Sequence, residues 1–478
     1  MFQALSALVL LGVLAAVVVA GWLPHPALLR LAVILLVAGA AVARHAFAPP
    51  DRFTPPGLEV TPQTQPQLFR VIDAVAQRMG GARPERVYLI PDVNAYVAEV
   101  RNLDGKPGLT RVMAVGLGLL NTDTIAQLRA TLAHEFGHLR GGETRLGACI
   151  CRVRNALTRI TTLLGPQAPL AQVYDLFSRT FQRITNTMGR VQELAADTCS
   201  VEVAGRRAHV EGLRREAVGA VLFSNFLRHE VTPLLEEGYR PTSVYEGYRR
   251  YLWNLQEDGV AARVERALTQ ERTEALDTHP ALADRIRFAD SLPDAEDVCD
   301  EPALSRHLLK DPELLETELT RQMVQGSRGQ HGVMPRPIAW EQVPGVVNAA
   351  KMARVSGAVK RALGVDICRD IGALLDMLGR DARDGAARKI APAAFATDPP
   401  NPEEVRRTVL LEAAAACVAT ALVGQKGFWF TRALGRTLQV SSPEGRRLDP
   451  YELVRDAVCD PRRVYELRVR LSGLGLEF

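Results

Sequence analysis

The stretch Thr131–Gly142, TLAHEFGHLRGG, constrains this 478-residue chain more than any other, because it sets His134 and His138 four positions apart with Glu135 beside the first. Apolar residues at Ile125, Leu128, Leu132, Phe136 and Leu139 recur at steps of three and four, the buried stripe of an amphipathic helix. Thr122 and Asp123 can cap its start, and Gly141–Gly142 can end it. Residues at i and i+4 leave a helix one turn apart at nearly the same angle, so both imidazoles can reach one ion at about 2.0–2.1 Å. Glu135 can then hang beside the ion without binding it, placed to take a proton from water. The competing account is a surface helix with two ordinary histidines. With nine histidines in the chain, the H-E-x-x-H pattern arises by chance with a probability on the order of one per cent.

Two histidines make an incomplete site, so a third ligand is required. Gly141 sits where the longer metzincin pattern places a glycine, but Thr144 stands where that pattern needs its third histidine. Downstream, RVQELAADTCSVEVAG sets Glu193 and Asp197 four apart on a helical pattern, so both carboxylates share one face. Glu193 can be the third ligand, while Asp197 can accept the outer N–H of a ligating histidine and fix its tautomer. Taken without the first motif, the same pair reads equally well as two solvated acids on a helix surface.

With both motifs in place the chain resembles the gluzincin zinc metallopeptidases, and among them the HtpX-like peptidases, a group that includes the CAAX prenyl proteases. The likeness runs from about Leu68 to about Phe288 and includes the Asn94–Ala95 pair after an apolar strand, the run Val112–Leu120, and DTHPALADRI at Asp277–Ile286. The resemblance implies a zincin-like fold, one zinc ion per chain on His134, His138 and Glu193, and Glu135 as catalytic base. It also implies that His279 and Arg285 belong to the active site, steadying the oxyanion or the substrate backbone. Without that match, His279 before Pro280 reads as a loop histidine and Arg285 as a surface charge. In the family an edge strand beside the zinc helix pairs with the substrate, a role that falls to Asn94–Ala95–Tyr96, although an ordinary sheet edge has the same sequence character.

At the N-terminus, Phe2–Leu23 carries no charge and as a helix would be about 33 Å long, enough to cross a bilayer. Pro24–His25–Pro26 breaks it, and Ala27–Ala43 is a second apolar run with Arg30 near one end. Together they read as a transmembrane hairpin. The alternative, a cleaved signal peptide, lacks the basic leading region and leaves the second run unexplained. Arg44 and Arg52 follow the second span, which by the positive-inside rule favours a cytoplasmic body. Seven cysteines, at 149, 151, 199, 299, 368, 417 and 459, form no C-x-x-C pair and fit a reducing compartment. The expected location is therefore a bacterial inner membrane with the peptidase part on the cytoplasmic side.

Proline-rich residues 49–66 read as a linker. Gln67–Met79 has a helical pattern, Arg86–Ile90, Asn94–Val100 and Arg111–Val115 read as strands, and Asp104–Gly108 as a turn. Between the two motifs, Cys149–Leu164 and Leu170–Met188 are interrupted by arginines and read as amphipathic helices packed on the body or resting on the membrane surface. Tyrosines at 245, 248 and 251 suggest an exposed aromatic face. The acidic stretch 293–302 reads as a linker or exposed loop. Beyond it come helical segments near Ala349–Leu363, Asp366–Leu378, Leu410–Val423 (a buried core helix) and after Asp449–Pro450.

The expected fold is α+β and mostly helical: a transmembrane hairpin at 1–48, a linker at 49–66, a zincin-like peptidase domain with a small β-sheet at 67–292, and a mainly helical region of unassigned role at 303–478. Net charge is only +4 with basic and acidic residues interspersed, so nucleic acid is not an expected partner. The expected function is a membrane-anchored zinc metalloendopeptidase acting on protein or peptide substrates, possible targets being membrane or misfolded proteins, with the lipid bilayer as a further partner. A tethered adaptor that keeps the shell without catalysis is the alternative. Nothing in the sequence bears on oligomeric state.

Overall fold

The computed structural model describes residues 53–476 apart from 102, 104–107, 141–142, 166–168, 258, 275–276, 278, 296–299, 326–333, 365, 367–369, 380–381, 397–400, 432–433 and 436–437. The expected transmembrane hairpin lies outside the described residues. The chain divides into two compact units. One holds the described residues up to Phe223 together with Ala261–Leu315; the other holds Ser224–Val260 and the described residues from Glu316 on. The two units interleave in sequence.

The first unit is built on a four-stranded sheet of β1 (Leu58–Val60), β2 (Arg86–Ile90), β3 (Ala95–Arg101) and β4 (Leu109–Gly116), in the order β1-β2-β4-β3. β2 and β4 are parallel and β3 runs antiparallel to β4, with Ala95 opposite Val115 and Val97 opposite Met113. β3 is therefore an edge. Val112–Val115 on the central strand are buried, as a strand flanked on both sides requires.

The histidine helix runs from Ile125 to Arg140. Its cap is not Thr122 or Asp123 but Thr124: the Thr124 N–H donates to Gln127 Oε1 at 3.0 Å, and the Gln127 N–H donates to Thr124 Oγ1 at 3.3 Å. This reciprocal pair is a capping box one residue beyond the expected position. Thr122 instead turns its hydroxyl back to the carbonyls of Gly118 and Leu119, and Asp123 is fully buried. The acidic stretch expected to be an exposed loop ends as a strap on this helix. Glu301 and Ala303 carbonyls accept from the N–H groups of Ala126 and Ile125 at 3.2 and 2.8 Å, and the Glu301 carboxylate meets Arg129 at 3.0 Å. It thus satisfies donors that every helix start leaves open.

Two long helices follow, Glu143–Leu164 and the carboxylate helix Pro169–Ala204. They pack on each other, with Ala156, Leu157, Ile160, Ala171 and Tyr174 buried, while Val173, Leu176, Ile184, Met188 and Val191 stay exposed. The C-terminal half of the carboxylate helix lies along the histidine helix. Ser200 ties the two by donating to the Ala130 carbonyl at 2.7 Å.

In the second unit the helix Pro402–Lys426 forms the core, with Leu410, Ala413–Ala419, Ala421 and Leu422 all buried between Ala349–Leu363 and Pro450–Cys459. Among the described residues it is the one helix long and apolar enough to cross a membrane. Its starts and stops follow simple chemistry: Asn401 Oδ1 accepts from Glu404 N at 3.2 Å, and Gly427 takes a left-handed φ of 67° at the other end. The expected exposed aromatic face is instead core. Tyr245 and Tyr248 are fully buried and Tyr251 is 7% exposed. Spaced three apart, they line one helix face, which closes on Phe226 at ring distances of 5.6 and 5.4 Å for Tyr248 and Tyr251.

Candidate active site

The histidine helix points His134 and His138 at one spot. Their Nε2 atoms lie 3.2 Å apart and their rings meet edge to face. Glu193, from the carboxylate helix, brings one oxygen to 3.5 Å from His134 Nε2 and the other to 3.7 Å from His138 Nε2. Ligands about 2.0–2.1 Å from a tetrahedral ion lie about 3.3 Å from one another, so this triangle has the size of a metal's coordination sphere. Two imidazole nitrogens and a carboxylate are the donors zinc takes in hydrolytic sites. The residues present therefore fit the ion that the sequence implies.

Glu135 lies on the same helix, its carboxylate close enough for its oxygen and the two histidine nitrogens to fall within 4.8 Å of one another. The Val97 N–H of edge strand β3 donates to Glu135 Oε2 at 3.2 Å, a bond with no sequence signal. Burial pushes the Glu135 carboxyl up to about 7, against the pull of His134. A carboxylate near 7 is suited to accept and return a proton at neutral pH.

Asp197 sits behind His134, completely buried, with Oδ1 3.0 Å from His134 Nδ1. Arg285 clamps the same carboxylate with both prongs, Nη2 to Oδ1 at 2.5 Å and Nε to Oδ2 at 3.0 Å. Burial alone would raise the Asp197 carboxyl; hydrogen bonds from His134 and Arg285 overcome it and hold it well below the ordinary range. Burial likewise opposes charge on His134, yet the Asp197 and Glu193 carboxylates raise it to about 9. The guanidinium expected at the oxyanion is thus engaged on Asp197, with Nη1 3.6 Å from Glu193. His279 places Nδ1 2.8 Å from Glu193 Oε1 and leaves its side chain 65% exposed to the cavity.

One cavity of about 400 Å³ collects these groups: Asn94, Ala95 and Tyr96 from the sheet edge, His134, Glu135, His138, Glu193, His279 and Arg285. Every sequence-expected residue lines it except Asp197, which supports it from behind. Sequence reasoning missed the wall contributed by His209, Leu213 and Glu216 on the helix Arg206–Phe226. Their spacing of four and three marks one helix face, the signal that was there to be found. His209 is 3% exposed, and burial holds its imidazole down to about 4 despite Asp197 nearby.

A helix presenting H-E-x-x-H beside a sheet edge, with a carboxylate from a second helix completing the triangle, defines a metalloprotease-class site. Residues 62–292 match the model of Peptidase family M48. Through this segment the chain is similar to the HtpX-like M48 peptidases. It is 26% identical to Protease HtpX of Haemophilus influenzae over 174 residues, 32% of this chain and 59% of that protein. It is 26% identical to Protease HtpX of Idiomarina loihiensis over 171 residues, 32% of this chain and 58% of that protein. To the Protease HtpX homolog of Ralstonia nicotianae it is 27% identical over 161 residues, 31% of this chain and 54% of that protein. The chain thus spans less than two thirds of the length of these curated relatives. No solved structure matches it.

Proposed function

We propose that the chain is a membrane-anchored zinc metalloendopeptidase that hydrolyses peptide bonds in protein substrates, membrane or misfolded proteins among them. The observation that carries the reading is the convergence of His134, His138 and Glu193 on one point beside the Glu135 carboxylate. Anchoring rests on the apolar hairpin at 1–48, and a cytoplasmic body on Arg44, Arg52 and the unpaired pattern of cysteines.

Bound by His134, His138 and Glu193, zinc supplies a Lewis acid that activates water and polarises a peptide carbonyl. Glu135 accepts the proton of the attacking water and passes it to the leaving amine. Asp197 fixes the His134 tautomer through Nδ1, and Arg285 holds Asp197 in register. His279, tied to Glu193 through Nδ1, has its second ring nitrogen left for the substrate oxygen. Asn94 turns its carbonyl inward to Gly116 N at 2.8 Å, so by the alternation of an antiparallel edge Ala95 turns its backbone groups outward. An extended substrate strand can pair there.

The test is zinc content and casein cleavage by the full chain, with Glu135→Gln and Glu193→Ala beside it. The reading requires about one zinc per chain and cleavage in the wild type, metal retained but activity down about 10²–10⁴-fold in Glu135→Gln, and metal lost in Glu193→Ala. A wild-type chain that binds no zinc sinks it.

A further inference from the structure

We infer that the active-site cavity carries a subsite for a basic side chain, with Glu216 as the residue that selects it, so that the enzyme prefers lysine or arginine next to the cut bond. The inference rests on the peptidase reading and deepens it. Three carboxylates line the cavity: Glu135, Glu193 and Glu216. Two have work assigned by geometry, Glu193 against both histidines and Glu135 between Val97 N–H and the metal position. Glu216 has none. It takes no hydrogen bond from any described residue.

The cations around it are already committed. Arg285 is doubly bonded to Asp197, His279 is 2.8 Å from Glu193, and His134 lies between Asp197 and Glu193. Burial raises the Glu216 carboxyl, with Glu193 adding to the effect while Arg285, His134 and His279 pull the other way. A half-buried acid without a partner is the kind of group whose desolvation a cationic ligand offsets.

The shape agrees with the charge. Ala130 and Thr131 lie on the histidine helix one turn before His134, and Leu213 lies one turn before Glu216 on the facing helix. Side chains this small or apolar flank the methylene stem of a lysine or arginine, while the carboxylate meets its charged end. An acidic substrate side chain would face Glu216, Glu135 and Glu193 together, so rejection of the wrong charge accompanies selection of the right one.

The experiment measures binding, by calorimetry, of short peptide hydroxamates that differ only in the residue beside the chelating group (arginine, leucine or glutamate). The proteins are the full wild-type chain, Glu216→Gln and Glu216→Lys, with a library digest read by mass spectrometry in parallel. Arginine should exceed leucine and glutamate by about tenfold or more in the wild type. The preference should collapse in Glu216→Gln and turn toward glutamate in Glu216→Lys. Hydroxamates bound equally well by the wild type, or an arginine preference that survives Glu216→Gln, overturns the subsite and leaves the peptidase standing. No hydroxamate bound at all overturns both. Glu216→Gln is nearly isosteric and decides the matter even if Glu216→Lys does not fold.

Discussion

Gly137 of the histidine helix lies so close to Ala196 of the carboxylate helix that a Cβ at 137 would stand 2.9 Å from Ala196 Cα and 3.2 Å from Ala196 Cβ. The two helices touch backbone to side chain at this point, which lies one residue before His138 and three after Glu193. The contact brings a carboxylate on one helix to within 3.7 Å of an imidazole on the other. Gly137→Ala must push the helices apart by a few tenths of an ångström. The expected cost is about 1–3 kcal/mol of stability, with weaker zinc binding because Glu193 retreats with its helix. Urea unfolding in chelator, followed by zinc titration, checks both; an alanine variant with wild-type values on each would refute the close-packing account.

Asp197→Asn keeps the size of the side chain and removes its charge. Arg285 then loses its bidentate carboxylate, and the charged acceptor that fixes the His134 tautomer at Nδ1 is replaced by a neutral, weaker amide oxygen. Zinc affinity should fall about 10–100-fold. Competition against a chromogenic chelator measures it. Arg285→Lys should reproduce part of the loss, since an ammonium cannot make two parallel bonds to one carboxylate.

Thr124→Ala removes the acceptor of the Gln127 N–H and opens the capping box at the start of the histidine helix. A loss of about 0.5–2 kcal/mol is expected in urea unfolding. Thr122→Ala should cost less, because its hydroxyl returns to the carbonyls of Gly118 and Leu119 and caps no open donor of the histidine helix.

The convergence of His134, His138 and Glu193 was legible in part because it depends on short-range helical geometry: four-residue spacing in His134/His138 and in Glu193/Asp197 fixes which side chains share a face. Helix starts with a side-chain acceptor followed by proline, as at Asn401–Pro402 and Asp449–Pro450, were legible for the same reason. What depends on distant packing was not. The tyrosines at 245, 248 and 251 have the spacing of one face, but whether that face meets water or Phe226 is decided elsewhere in the chain. The strap at Glu301–Ala303 reads as a solvated acidic loop until its carbonyls are seen on the donors of Ile125 and Ala126. Arg285 could be assigned to the site by resemblance, yet its bond to Asp197, 88 positions away, has no local signature.

The buried imidazole of His209 gives a stability change with a defined sign and window. Its folded-state pKa is lowered from 6.5 to about 4, chiefly by burial, with Arg285 and His134 adding to the effect and Asp197 opposing it. The unfolded chain therefore takes up a proton that the folded chain refuses as the pH falls from 6.5 toward 4. The stability tied to the neutral ring is complete above 6.5, declines across that window, and changes no further below about 4. A shift of this size corresponds to about 3 kcal/mol in full. Glu135, raised to about 7, works in the opposite direction over part of the same range, and the depressed carboxyls of Glu193 and Asp197 act only at lower pH. The informative quantity is thus the difference between the wild type and His209→Gln, measured by urea unfolding at pH 7.5 and pH 4.5. Relative to wild type, the glutamine variant should gain about 2–3 kcal/mol on moving to the lower pH. Parallel losses in the two proteins would mean that the His209 ring reaches water and takes up its proton without unfolding.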